Sequence, residues 1–74
     1  MQAYVFVECD GDPAEIVRDL RKIGGVKRVD GLYGALEVVA IIEAPDLASL
    51  DEVIVSIQEV DSVAFTDTRI VRDI

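Results

Sequence analysis

The side chains able to do chemistry in this sequence are few, and their types narrow its function. Histidine, tryptophan and asparagine are absent, and cysteine occurs once, at Cys9. A thiol with no histidine to take its proton is a poor nucleophile, so Cys9 reads as a small core residue. A structural zinc needs a cluster of Cys and His that this chain lacks, and no other cofactor is implied. Glu37 lies between Leu36 and Val38 in an otherwise apolar stretch, where a carboxylate needs a partner or a wet cleft. Thr66 and Thr68, two residues apart, put two hydroxyls on one face of a strand, and threonine also suits a strand without any other role. Asp67 and Arg69 share the opposite face and suit a surface pair of small energetic weight. Gly34 falls where a hairpin turn requires a positive φ.

These residues must be positioned by elements that the apolar spacing marks out. Ala3 to Cys9 reads as a strand apolar or aromatic on both faces, with Ala3, Val5 and Val7 on one and Tyr4 and Phe6 on the other. Asp12, Pro13 and Glu15 form a helix-start signal, and Ile16, Val17, Leu20 and Ile23 make the apolar stripe of a helix that Gly24-Gly25 ends. Val26 to Tyr33 reads as a second strand, Gly34-Ala35 as the hairpin turn, and Leu36 to Ala44 as a third strand. Pro45-Asp46 breaks it. Leu47, Leu50, Val53, Ile54 and Ile57 then recur at helical spacing to about Gln58, and Val63 to about Val71 is a fourth strand.

The two halves of the chain align at an offset of 37, pairing Val17 with Ile54, Leu20 with Ile57, Ile23 with Val60 and Val26 with Val63. At the same offset the capping pair Asp12 and Glu15 meets Ser49 and Glu52. A duplicated β-α-β unit predicts an α+β fold of βαββαβ order: a ferredoxin-like sandwich with a four-stranded antiparallel sheet and two helices on one face. The other face of that sheet is then bare. Since Tyr4, Phe6, Val39 and Ile41 all point to it, the sheet is expected to dimerise through that face.

Composition sets the outer limits. Seventy-four residues make a single domain, 1–74, whose own core is thin, and with no disulfide or zinc to reinforce it, self-association is the remaining common route. Fifteen acidic against seven basic residues give a net charge of −8, which opposes direct binding to nucleic acid. No apolar run is long enough for a membrane span and no signal peptide is evident, so no membrane partner and a cytoplasmic location are expected. Other ferredoxin-like activities find no residues here. A metal chaperone needs a Cys-x-x-Cys loop, an acylphosphatase a catalytic Asn, and a small monooxygenase polar groups such as His, Trp or Asn in its cavity.

Several stretches together resemble the ligand-sensing (RAM-type) domain of the Lrp/AsnC transcriptional regulators. They are Tyr4-Val5-Phe6-Val7, the helix ending Ile23-Gly24-Gly25-Val26, the Gly34 turn, Glu43-Ala44-Pro45-Asp46-Leu47 with Leu50, and Val63-x-x-Thr66-x-Thr68. The resemblance covers essentially the whole chain and lacks the helix-turn-helix domain of full regulators, so it is identified as the stand-alone form. It implies no enzyme activity, a homodimer assembling into larger rings, and a small-molecule effector, an amino acid, bound between dimers. It also implies regulation of transcription through a partner, a full-length Lrp/AsnC-type regulator. The ligand site it implies is Gly34, Leu36, Glu37, Thr66 and Thr68. Leu36 stands where that family has an aromatic and Glu37 where it has Asp. Glu37 would receive an α-ammonium group and the threonine hydroxyls a carboxylate. A second reading, supported by those two departures, is a structural oligomerisation module whose cleft is empty.

Overall fold

A computed structural model describes all 74 residues, Met1–Ile74. The order is β1 (Gln2–Cys9), α1 (Pro13–Leu20), β2 (Val26–Gly31), β3 (Val38–Glu43), α2 (Leu47–Gln58) and β4 (Val63–Ile70). The strands form one antiparallel sheet in the order β2-β3-β1-β4, so each β-α-β unit is split by a strand of the other. α1 packs on β2 and β3, and α2 on β3 and β4.

Both helices begin at aspartate. Asp12 has an extended backbone and accepts the Ala14 N–H at 3.0 Å, with Pro13 in the first turn. Asp46 accepts the Ser49 N–H at 2.8 Å. The fixed offset of 37 therefore fails at this point: Ser49 is not the cap but the donor to it. α2 has twelve residues and α1 eight, and the added turn lies at the amino end of α2, which displaces its cap to Asp46. Where the helices give way to strands the offset holds. Gly25 (φ 93) and Ser62 (φ 70), 37 residues apart, both adopt a left-handed backbone there.

Pairing register separates the two faces of the sheet, because directly opposed residues share a face. Val5 lies opposite Ala40 and Thr68, and Val7 opposite Val38 and Thr66. This face meets the helices and buries Ala3, Val5, Val7, Val38, Ala40 and Ile42 against Ile16, Leu20, Leu50 and Ile57. Tyr4 lies opposite Ile41 and Arg69, and Phe6 opposite Val39 and Asp67, on the face that no helix covers.

The β2–β3 connection departs from the two-residue turn expected. β2 ends at Gly31 and β3 begins at Val38, so Leu32 to Glu37 form a loop, and Leu36 and Glu37 lie in it instead of on a strand. The Leu32 N–H donates to the Glu37 carbonyl at 2.7 Å, closing a loop whose tip includes Gly34 at φ 128. Apolar alternation runs unbroken through Leu36 and Val38, so the sequence pattern does not mark the point where ladder pairing stops.

Candidate functional site

Glu37 has the partner its position demanded. The β1–β3 ladder ends at Val7 opposite Val38. Beyond it, the Cys9 N–H donates to Glu37 Oε2 at 3.0 Å, so a side-chain carboxylate replaces the missing backbone acceptor of β3. The β1–β4 register also shifts between Glu8 and Cys9, which leaves this end of β1 partly free of its neighbours. Glu37 thus holds the loop twice, through its carbonyl to Leu32 and its carboxylate to Cys9. Its carboxylate still has lone pairs open to a further donor.

Burial of the Cys9 thiol, then its hydrogen bond with Glu37 and the charge of that carboxylate, push its pKa from 9.0 up to about 11. At neutral pH the thiol stays protonated, as the core reading requires, and is a weak nucleophile.

The five expected site residues divide into two groups. Gly34, Leu36 and Glu37 are together in the β2–β3 loop, Gly34 exposed and the other two half-buried. Thr66 and Thr68 are half-buried on β4, on the helix-facing side and with β1 between them and β3. Thr66 Oγ1 accepts a hydrogen bond from Gln58 Nε2 of α2 at 3.3 Å. Leu36 instead joins the bare face, where it lines a cavity of about 350 Å³ with Tyr4, Phe6, Asp67 and Arg69. One subunit therefore does not converge the loop and the threonines on a single pocket.

The bare face has a consistent layout. Phe6 and Ile41 are half-buried, Val39 is nearly inaccessible and Tyr4 is exposed, forming an apolar centre. Ion pairs flank it on both edge strands: Arg28 Nε with Asp30 at 2.8 Å on β2, and Arg69 Nη2 with Asp67 at 3.1 Å on β4. The expected surface pairing of Asp67 and Arg69 is thus present. Sequence reading did not single out Tyr33 in the loop beside Gly34, although the structure leaves its ring fully exposed. The signal available was an aromatic residue next to a turn glycine, which periodicity assigns to a strand.

The family model described as Lrp/AsnC ligand binding domain matches residues 2–73. The chain belongs to this Lrp/AsnC ligand-binding family. Its fold is shared with TTHA0845 from Thermus thermophilus (TM-score 0.90, 21% identity, 99% of this chain and 94% of that one). FFRP-DM1 is similar as well (TM-score 0.89, 23% identity, 96% and 97%). Escherichia coli AsnC aligns with a TM-score of 0.83 at 17% identity over 99% of this chain and 55% of its own. Comparison with curated proteins finds no match. As a member of the Lrp/AsnC ligand-binding family the chain is a regulatory effector-binding domain, which is not an enzyme class. No helix is long and apolar enough to cross a membrane.

Proposed function

We propose that this Lrp/AsnC-type domain pairs with a second copy through its bare sheet face and binds an amino acid where such pairs meet. The bound ligand contacts Gly34, Leu36 and Glu37 of one subunit and Thr66 and Thr68 of a neighbour, and the resulting assembly modulates transcription through a full-length regulator. The observation that carries the reading is the position of Glu37. Its half-buried carboxylate is fixed by the Cys9 N–H beside an exposed loop, ready to accept an ammonium group without reorganising. The separation of the loop from Thr66 and Thr68 favours a site completed by two subunits. A ligand bridging them shifts the population toward the assembly that contains the bridge.

The structural-module reading keeps one specific support: Glu37 and Thr66 already have hydrogen-bond partners in their own chain. A thermal-shift screen against the twenty amino acids separates the two. A ligand at 100 times its dissociation constant stabilises the folded state by about 2.7 kcal/mol. A shift with one or a few amino acids that is lost in Glu37→Gln and in Thr66→Val/Thr68→Val supports the binding site. No shift with any of them assigns the chain to the structural reading, and a shift unchanged in those variants places the site elsewhere.

A further inference from the structure

The chain has four aromatic residues, two Tyr and two Phe. Tyr4 and Phe6 belong to the bare sheet face, but Tyr33 and Phe65 belong neither to the core nor to the apolar centre of that face. Tyr33 is fully exposed and Phe65 is 56% exposed, so neither ring contributes much to folding by burial. Their positions coincide with the two halves of the proposed site. Tyr33 adjoins Gly34 in the β2–β3 loop that carries Glu37. Phe65 adjoins Thr66 on β4, and the two line a cavity of about 250 Å³ with Gln58, Val63 and Ala64. Glu8 is exposed directly opposite Phe65 in the β1–β4 register. Each half therefore combines one exposed ring with one carboxylate.

No positive side chain accompanies them. Residues 31–68 hold eight acidic residues and no basic one. The first base beyond, Arg69, is engaged by Asp67 at 3.1 Å, on the opposite face of β4 from Thr66 and Thr68. Gln58 Nε2 donates to Thr66 Oγ1, which leaves the Gln58 amide oxygen as a further acceptor. A ligand of zero net charge would bring an anionic group that only the threonine hydroxyls could receive. A net cation meets two carboxylates, an amide oxygen and the negative faces of two rings.

We propose that the ligand carries two cationic groups, an ammonium on Glu37 beside Tyr33 of one subunit and an alkylammonium or guanidinium over Phe65 beside Glu8 of its neighbour. The proposal rests on the reading of Glu37 and Thr66 as ligand contacts and narrows the ligand class of that site. The net charge of −8 favours such a ligand at long range as well. Two sources share this chemistry: a basic amino acid, whose carboxylate the threonine hydroxyls receive, and a free diamine that has no carboxylate.

Isothermal titration calorimetry with matched ligands tests it. Arginine or lysine should bind at least ~10-fold more tightly than its neutral analogue, citrulline or norleucine. Tyr33→Leu and Phe65→Leu should each weaken that binding about 3- to 30-fold, while Tyr33→Phe and Phe65→Tyr retain it and circular dichroism stays unchanged. Agmatine and cadaverine, which lack the carboxylate, separate the two sources. Binding as tight as that of arginine and lysine supports a free diamine, and weaker binding supports a basic amino acid. Citrulline or norleucine binding as tightly as its charged counterpart, and losing affinity in Glu37→Gln, overturns the proposal while leaving the amino-acid site standing. Cation binding unchanged in both leucine variants also overturns it. No binding by any of these ligands overturns it as well, and the screen of twenty amino acids then judges the site itself.

Discussion

Cys9 and Glu37 form the most informative residue pair, since neither has a role in the ordinary ladder of a strand. Raising the thiol to about 11 lowers its thiolate fraction at pH 7.5 about 100-fold relative to a group at 9.0. Iodoacetamide should therefore alkylate the folded protein about 100-fold more slowly than the urea-unfolded chain, and Glu37→Gln should narrow that difference by removing the charge. Mass spectrometry of timed samples measures both. Because the folded value is above the unfolded one, the associated stability is present below pH 9 and is lost as pH rises toward 11. Asp46 behaves in the opposite sense. The Ser49 N–H, and then its side chain, hold the Asp46 carboxyl below 3.8. Its contribution is present at neutral pH and is lost as pH falls below about 4 through the depressed value. Melting temperatures from pH 6 to 3 should fall less steeply in Asp46→Ala than in the wild type.

At the scale of elements, the two helix-to-strand turns differ in how they tolerate change. A Cβ on Gly25 would lie 2.6 Å from Val53 Cγ2 and 3.3 Å from the Glu43 carbonyl, in a backbone at φ 93. Gly25→Ala should cost about 2–4 kcal/mol through strain and displacement of α2. Ser62 meets the same backbone demand without being glycine. Left-handed strain of about 1–2 kcal/mol, less the ~0.5–1 kcal/mol entropy of an added glycine, predicts a gain of about 0.5 kcal/mol for Ser62→Gly. Urea denaturation of both variants measures these effects. The duplication was legible because Val26 and Val63 must each re-enter the sheet after the same turn. The cap of α2 was not, since an added helical turn shifts the frame without disturbing the apolar spacing that follows it.

For the whole molecule, the proposed sheet pairing rests on the bare face. Phe6 is half-buried there and lies outside the core, so Phe6→Glu should leave the fold intact while weakening sheet pairing. Loss of a central aromatic anchor costs about 2 kcal/mol or more, so the dimer dissociation constant should rise at least ~30-fold. Sedimentation equilibrium reads the constant, and unchanged dimerisation would show that the copies meet elsewhere.

The sequence by itself determined the element order, the split β-α-β duplication, which residues of β1 and β3 face the helices and the family, because side-chain alternation and helical spacing are local consequences of backbone geometry. It also exposed Glu37 as a carboxylate in need of a partner. Only the tertiary structure decided what that partner is, since the Cys9 N–H is brought to Glu37 by strand pairing across 28 residues. It likewise decided that Leu36 turns to the bare face while Thr66 and Thr68 face the helices. Each of these depends on where a ladder stops and which strands become neighbours, and long-range pairing leaves no periodic trace in the chain.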